Sequence, residues 1–175
     1  AKRVRDEIKN WGGRCSIERI DVEQPEASIA EILKVPLSHL YYFASPRIHS
    51  SKSIPFDSSL YGTFNQIYVL SFVRFMIFLS ERLVRGCNVF YPSTEFLDER
   101  PREFGEYIAA KAAGEAVCQY FDQNITNISI LTRRLPMLLT DQTEGLIRKE
   151  MADSLVELKS VVRKLHQRFK GNNKQ

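Results

Sequence analysis

Residues 88–94, which read Asn-Val-Phe-Tyr-Pro-Ser-Thr, are the stretch that decides the fold of this chain. The apolar run Asn88–Tyr91 is short and nearly continuous, which is typical of a strand buried on both faces of a parallel sheet. Pro92 is expected to end the strand, and the hydroxyl pair Ser93 and Thr94 follows it. The stretch therefore predicts a buried strand that delivers two hydroxyl groups to one edge of a sheet.

The segments on either side alternate between strand and helix patterns. Before this stretch, the aromatic run His39–Ala44 predicts another strand buried on both faces, and apolar residues almost encircle a long predicted helix, Ser58 to Arg85. After it, we expect a helix from about Glu103 to Phe121 and a β-branched strand over Ile128–Arg133. Because each connection is long enough for a crossover, this order predicts an α/β fold, a Rossmann-like doubly wound parallel sheet with helices on both faces.

The chain begins and ends in predicted helices. Apolar residues at helical spacing predict a first helix that stops at Gly12-Gly13. An imperfect alternation over Cys15–Val22 predicts a strand, and Gln24–Pro36 predicts a short amphipathic helix. A final helix or helix pair is predicted over Thr143–Phe169. We expect residues 1–175 to form a single domain.

The composition is that of an ordinary globular domain. The 175 residues include 25 Lys and Arg against 21 Asp and Glu, and the basic residues are spread along the chain, so no nucleic-acid surface is predicted. The three cysteines form no CxxC pair, which predicts no metal site and a reducing, cytoplasmic setting. The apolar run Ile67–Leu79 is shorter than the roughly 20 residues of a membrane span, so no membrane contact is predicted.

Tyr107 and Lys111 are the residues from which a chemistry is predicted. They lie one helical turn apart, so the phenol and the ammonium group share a helix face. A lysine within several ångströms stabilises the phenolate and lowers the tyrosine pKa from its reference value of about 10, which lets the tyrosine exchange a proton with a hydroxyl or carbonyl. The alternative is an exposed tyrosine beside a surface lysine.

The predicted sheet also indicates where a ligand would lie. In open parallel sheets, ligands bind beyond the carboxyl ends of the strands. The predicted rim of a pocket consists of Asp21, Ala44-Ser45, Ser93-Thr94 and the segment Arg134 to Thr140.

Five short motifs follow one another along the chain. They are Asp21-Val22, Tyr42-Phe43-Ala44-Ser45, Phe90-Tyr91-Pro92-Ser93-Thr94, Tyr107-x-x-x-Lys111 and Arg134-Leu135-Pro136-x-x-x-Thr140-Asp141. Each motif is weak by itself, but the ordered set covers nearly the whole chain. In this order the set resembles the short-chain dehydrogenase/reductase family.

The resemblance implies an oxidoreductase that uses NADP or NAD to reduce a carbonyl or oxidise an alcohol in a small molecule. It implies Tyr107 as the general acid/base, and Lys111 as the partner that lowers the tyrosine pKa and contacts the cofactor ribose. Ser93 or Thr94 would polarise the substrate oxygen. The family's usual spacing of thirteen residues before the tyrosine favours Thr94, whereas residue type favours Ser93.

The resemblance also implies a set of cofactor contacts. Asp21 would meet the adenine, Ala44 and Ser45 the adenosine ribose, and Thr140 the carboxamide or phosphates. Val22 and Pro136 are implied as further cofactor contacts.

The sequence departs from the family pattern at two positions. The family's helix asparagine falls near Tyr68, with Asn65 one turn earlier. The glycine-rich loop that cradles the pyrophosphate has no counterpart, because Gly12-Gly13 follow a helix and precede a predicted strand. We therefore expect the first strand-loop-strand unit of the fold to be missing and the chain to be the carboxyl-terminal portion of a dinucleotide-binding domain. By itself it should bind no NAD(P)H and tend to aggregate or dimerise.

Two other functions are compatible with this scaffold. An epimerase or dehydratase of nucleotide sugars would use the same tyrosine and lysine, but it would usually show a larger region after the last strand. A non-catalytic interaction domain would retain the fold with a degenerate cofactor site. The resemblance also implies a homodimer or homotetramer that associates through the long helix and the tyrosine-bearing helix.

Overall fold

The computed structural model describes residues 1–24, 37–48, 56–83, 86–138 and 153–171. Within them, three strands form one parallel sheet in the spatial order β1-β2-β3. The predicted parallel α/β architecture is therefore confirmed. The strands are β1 (His39–Tyr41), β2 (Cys87–Thr94) and β3 (Ile128–Leu135).

Helices precede and follow these strands. The long second helix is α-helical at both ends and π-helical over Gln66–Ser71. A short 3-10 turn, Arg102–Phe104, leads into the helix that carries Tyr107 and Lys111. The helices are α1 (Lys2–Asn10), α2 (Ser58–Ser80), α3 (Phe96–Glu99), α4 (Gly105–Asn124) and α5 (Ser154–Gly171).

The central strand β2 is buried on both faces, as predicted. Its alternate residues Val89 and Tyr91 belong to the core that the sheet shares with α2 and α4. Phe90 points to the opposite face, where it packs with Val161 and Leu165 of α5. Helices therefore cover both faces of the sheet, which is the doubly wound arrangement.

Two predicted strand features at the start of the chain are wrong. Cys15–Val22 forms no strand, and Ile17 is exposed, because the imperfect alternation offers no apolar face to pair. Strand β1 is only half-buried and ends at Tyr41. It ends there because the Phe43 N–H turns back to the Tyr41 carbonyl, which removes it from the ladder with β2.

The prediction that Pro92 ends β2 is also wrong. Strand β2 continues to Thr94 and pairs with β3 as far as Leu135. Its pairing with β1 ends at Phe90, so beyond that residue the described sheet supplies β2 with a partner on one side. A proline is tolerated in a strand where one N–H has no ladder partner to reach. The strand thus carries Ser93 and Thr94 within it.

Other boundaries differ by several residues or lie outside the described residues. The helix predicted from about Glu103 to Phe121 runs over Gly105–Asn124, and α3 is followed by Arg100 in a left-handed conformation with φ of 52°. The final helix is described from Ser154. The predicted helix over Gln24–Pro36, apart from its first residue, and the first part of the predicted Thr143–Phe169 helix lie outside the described residues.

Helix α2 is the main apolar helix of the described chain. With 23 residues, it is long and apolar enough to cross a membrane. The sequence prediction considered only the shorter run Ile67–Leu79, which falls below that length. A buried core helix passes the same test, and Phe72, Met76 and Leu79 of α2 are fully buried against the protein's own sheet. The packing of α2 is that of a core helix.

Two tyrosine hydroxyls satisfy carbonyl groups in the π-helical segment of α2. The Tyr42 hydroxyl donates to the Ile67 carbonyl at 2.8 Å, and the Tyr91 hydroxyl donates to the Tyr68 carbonyl at 3.0 Å. A π-helical turn changes which backbone groups bond within a helix, and buried carbonyls need a partner. Tyr91 of β2 and Tyr42, which directly follows β1, therefore hold this part of α2 through their side chains.

Gly114 makes room for the Tyr91 hydroxyl between α2 and α4. A Cβ atom at Gly114 would overlap the Tyr91 side chain and lie 3.3 Å from the Tyr68 carbonyl oxygen. The Tyr91 ring is fully buried, so it has no space into which to move. The close approach of α2, α4 and β2 thus requires glycine at this position.

We expect Gly114→Ala to destabilise the protein by about 2–3 kcal/mol, because overpacking a rigid core forces side chains or backbone to shift. Urea unfolding would measure the change. Gly62→Ala is the matched control, since Gly62 lies in α2 with nothing within 4 Å of an added Cβ. That control should be neutral or stabilising by up to about 1 kcal/mol. Equal effects of the two substitutions would contradict the packing argument.

Candidate active site

A cavity of about 170 Å³ lies beyond the carboxyl ends of the three strands. Its walls come from Phe43–Ser45 after β1, Pro92–Thr94 at the end of β2, and Leu135–Leu138 at the end of β3. Ligand sites usually enclose about 300 to 1,000 Å³, so the cavity formed by the described residues is smaller than most ligand sites. This is the sheet edge at which the sequence predicts a pocket.

The structure brings seven of the predicted site residues to this one cavity. Asp21 and Val22 are not among its lining residues, and the exposed Asp21 carboxylate accepts a hydrogen bond from the Glu23 N–H at 3.0 Å. Thr140 lies outside the described residues. The seven are Ala44, Ser45, Ser93, Thr94, Tyr107, Lys111 and Pro136.

Tyr107 is held in an aromatic environment at the cavity wall. Only 8% of the residue is exposed, and the rings of Phe64 and Tyr68 pack edge-on against it with centroids 5.6 and 5.7 Å away. Burial raises the pKa of Tyr107 to about 12, although a hydrogen bond with the Thr94 side chain acts in the opposite direction. The phenol is therefore protonated at neutral pH.

Lys111 is buried beside the phenol with 5% of its surface exposed. Its Nζ donates to the Pro92 carbonyl at 2.7 Å and lies 3.9 Å from the centroid of the Tyr68 ring. Burial lowers the pKa of Lys111 to about 7, while the negative charge of Glu115 acts to raise it. The ammonium group is thus only partly populated at neutral pH.

The burial of both side chains corrects the prediction for the Tyr107 pKa. The sequence predicts that Lys111 lowers the pKa of Tyr107, whereas the pKa of Tyr107 is raised. The Lys111 Nζ lies 5.9 Å from the centroid of the Tyr107 ring, and desolvation dominates at both groups. Burial favours the neutral phenol and the neutral amine.

The two candidate hydroxyls have different neighbours. The Thr94 side chain lies close enough to the Tyr107 phenol to act to lower its pKa, and it accepts a hydrogen bond from the Phe96 N–H at 3.2 Å. The buried Ser93 hydroxyl has no hydrogen bond of normal geometry among the described residues, although its closeness to Glu115 helps to lower the pKa of that carboxyl. Thr94 is the hydroxyl that meets the phenol.

Arg134 does not line the cavity, contrary to the predicted rim. Its guanidinium forms two hydrogen bonds with the Glu115 carboxylate, at 2.9 and 2.8 Å, and one with Asp98 at 2.5 Å. The Arg134 hydrogen bond is the largest cause of the lowered pKa of Glu115. Two carboxylates thus occupy the donors of the Arg134 guanidinium.

Tyr68 and several apolar side chains line the cavity without having been predicted as site residues. The Tyr68 hydroxyl shares a 2.6 Å hydrogen bond with the Ser45 hydroxyl, and either atom can be the donor. Its position where the family has an asparagine is the signal that marked it in the sequence. The apolar members that no sequence signal separates from the core are Phe43, Ile48 and Phe96, whereas Leu135, Met137 and Leu138 belong to the predicted rim segment Arg134 to Thr140.

Solved structures resemble the whole described arrangement. A short-chain dehydrogenase/reductase of Burkholderia phymatum in complex with NAD matches with a TM-score of 0.69 and 14% identity, over 95% of this chain and 65% of that one. The chain has the fold of the short-chain dehydrogenases/reductases. The resemblance stated from the motifs is thus confirmed at the level of the fold.

Two further structures with this fold illustrate its range. A 7α-hydroxysteroid dehydrogenase complexed with NADH and 7-oxo glycochenodeoxycholic acid has a TM-score of 0.70 and 19% identity, over 85% of this chain and 61% of that one. A 3-oxoacyl-(acyl-carrier-protein) reductase of Agrobacterium tumefaciens with NADP bound has a TM-score of 0.68 and 18% identity, over 83% and 59%.

The similarity is structural and covers part of each neighbour. The chain spans less than two thirds of the length of each of these three structures. No protein-family model matches the sequence, and a search of curated proteins finds no match. In the described part of the chain, no group of three His, Cys, Asp or Glu side chains is placed to hold a metal ion.

We expect Lys111→Met to stabilise the protein at pH 7. The folded pKa of about 7 lies below the unfolded value of about 10.4, so the unfolded state binds more protons between these values and wild-type stability rises with pH across that window. Removing the amine should raise the free energy of unfolding at pH 7 by an amount on the order of a few kcal/mol.

Urea unfolding at pH 7 and at pH 9.5 measures this effect. The gain should shrink at the higher pH, because the wild-type amine is then less often protonated in the unfolded chain. Lys159→Met on the exposed face of α5 is the control, and it should change the free energy of unfolding little at either pH. A destabilised Lys111→Met at pH 7 would contradict the burial argument.

Proposed function

We propose that the protein containing this chain is an NAD(P)-dependent oxidoreductase of the short-chain dehydrogenase/reductase type, which reduces a small-molecule carbonyl or oxidises the matching alcohol. The observation that carries the proposal is the meeting of Tyr107, Thr94 and the buried Lys111 at one cavity beyond the carboxyl ends of a parallel sheet. The neighbours crystallised with NAD, NADH or NADP support the choice of cofactor class.

The residues that line the described cavity are suitable for contacting a nicotinamide cofactor. Apolar groups from Pro136 and Leu138 can contact a flat ring, and Ala44 and Ser45 offer a small residue and a hydroxyl after β1. When bound, the cofactor supplies or accepts the hydride. The proposal includes contacts of Asp21 and Val22 with the adenine end of the cofactor. It also includes a contact of Thr140 with the carboxamide or the phosphates.

The protonation states favour Tyr107 as a general acid in the reductive direction. With a pKa of about 12, the phenol carries its proton at neutral pH and can donate it to a carbonyl oxygen that receives hydride. The protonated form of Lys111 then stabilises the phenolate that remains. Thr94 orients the phenol and can donate a hydrogen bond to the same oxygen.

We expect Tyr107→Phe to lower kcat/KM by about 10²- to 10⁴-fold, because it removes the proton donor. The reaction is followed by the absorbance of NADPH or NADH with a cyclic ketone or a 3-oxoacyl thioester as the probe. Tyr120→Phe is the matched control on the same helix, since Tyr120 is 62% exposed and lies away from the cavity lining.

Two hydroxyl variants sharpen the same experiment. Thr94→Val should lower turnover by about tenfold or more, whereas Ser93→Ala should have a much smaller effect, because Thr94 is the hydroxyl beside the phenol. Turnover that survives Tyr107→Phe unchanged would contradict the proposal and favour a non-catalytic interaction domain. Turnover of a nucleotide sugar without net oxidation would favour an epimerase or dehydratase.

We also propose a homodimer or homotetramer, formed in part by α2. Leu70 and Ile77 are 44% and 47% exposed, and their spacing of seven residues places them on one side of the helix. Exposed apolar side chains in a row are typical of an interface between copies.

Light scattering coupled to size-exclusion chromatography tests the assembly at micromolar concentration. Leu70→Lys combined with Ile77→Lys should shift a dimer toward monomer, because charged side chains would be buried at the interface. Val4→Lys on the exposed side of α1 serves as the control. A monomeric wild-type protein would contradict the proposal.

A cytoplasmic location is part of the proposed function. Cys15, Cys87 and Cys118 are free thiols, and the last two are buried. Free thiols persist in reducing compartments, which supports a cytoplasmic setting.

A further inference from the structure

We propose that Tyr68 is a positioning residue for Lys111, in which the face of its ring and the Pro92 carbonyl hold the ammonium group between them. The catalytic meaning of this contact rests on the proposed function, but the contact itself does not. The family pattern has an asparagine, and no tyrosine, near this position.

The geometry around the Lys111 nitrogen carries the proposal. Nζ lies 3.9 Å from the centroid of the Tyr68 ring and 2.7 Å from the Pro92 carbonyl oxygen. The rings of Tyr91 and Tyr107 are farther away, at 5.1 and 5.9 Å. A cation within about 6 Å of a ring centroid is attracted by the negative face of the ring, and the attraction grows when water is excluded.

The Tyr68 ring is anchored at both ends, so its face is held in place. At one end the hydroxyl bonds with Ser45 at 2.6 Å, and at the other the backbone carbonyl accepts from the Tyr91 hydroxyl at 3.0 Å. The ring also stacks on Phe64 with centroids 6.0 Å apart, and it is almost completely buried. A ring fixed in this way can define the position of a flexible lysine.

The Tyr68 ring supplies an important part of the stabilisation of the Lys111 ammonium group, because the nearby carboxylate is shared with another cation. Glu115 of α4 acts on the ammonium through space, in the direction that favours its charged form, whereas burial raises the pKa of the Cys118 thiol to about 12 and keeps it neutral. The Glu115 carboxylate is already bonded to Arg134, which also pairs with Asp98. From α2 and β2, the groups that face the ammonium are the rings of Tyr68 and Tyr91 and the Pro92 carbonyl.

The consequence for the site is that the cation is held near Tyr107 by an aromatic face. A ring face attracts a cation but neither accepts nor passes on a proton as an amide or hydroxyl can. Tyr68 therefore holds the charge that stabilises the Tyr107 phenolate, and its hydroxyl serves to anchor the ring to Ser45.

Stepwise fluorination of the ring at position 68 tests the contact directly. Fluorine withdraws charge from the ring face and leaves its shape almost unchanged, so Tyr68→Phe is compared with its mono-, di- and trifluorinated forms. Lysine labelled with ¹³C at Cε reports the Lys111 titration by NMR, and the signal is assigned by its loss in Lys111→Met. Without cofactor or substrate, the pKa of Lys111 should fall with each fluorine, by roughly 0.5 to 1 over the series.

Tyr42 provides the matched control for the fluorine series. It is another buried tyrosine, and its hydroxyl bonds with the carbonyl of Ile67, the residue before Tyr68. Fluorinated phenylalanines at position 42 should leave the Lys111 titration unchanged. A Lys111 titration that stays constant across the position-68 series, or that moves equally in both series, would overturn the proposal.

Turnover then links the contact to catalysis. Tyr68→Phe keeps the ring and should retain kcat within about threefold of wild type, whereas Tyr68→Leu should lose about tenfold or more and show a displaced pH profile. Equal losses in the two variants would overturn the positioning role. Because the titration needs no cofactor, a failure of the proposed function leaves its result unaffected and can be distinguished from a failure of this inference.

Discussion

The hydrogen bond from the Tyr91 hydroxyl to the Tyr68 carbonyl is the interaction on which the rest of the site depends. It crosses from the central strand to the π-helical part of α2, and it exists because Gly114 on α4 leaves space for the tyrosine. The bond sets where Tyr68 lies, and Tyr68 in turn meets the Lys111 ammonium group. Gly114 thereby allows the close packing of α2, α4 and β2 that places Tyr68 against the Lys111 ammonium group.

Desolvation is the dominant electrostatic influence at this site. Burial favours the neutral forms of Tyr107 and Lys111. Each side chain has a polar neighbour that reduces the free-energy cost of burying it. The neighbour is Thr94 for the phenol and the Pro92 carbonyl for the amine. A neutral phenol is a proton donor, which agrees with a reductase in the proposed direction. The same burial makes Lys111 costly for stability, as is common for groups kept for function.

The described part of the chain shares its architecture with proteins that include a 7α-hydroxysteroid dehydrogenase and a 3-oxoacyl-(acyl-carrier-protein) reductase. Those neighbours are less than 20% identical to it, so the common feature is the arrangement of strands and helices. In this chain, Tyr68 lies on the π-helical turn and lines the cavity. The Arg134 guanidinium lies outside the cavity lining and is neutralised by Glu115 and Asp98.

The sequence by itself determined the order of strands and helices, the parallel sheet, and the spacing that brings Tyr107, Lys111 and Thr94 to one edge. These follow from local apolar patterns and from the geometry of crossovers, which act over short stretches. Only the tertiary structure decided that β2 runs through Pro92 to Thr94, that Cys15–Val22 forms no strand, and that the tyrosine pKa is raised. Those outcomes depend on which neighbours surround a residue and how much water they exclude, and residues distant in the chain supply both.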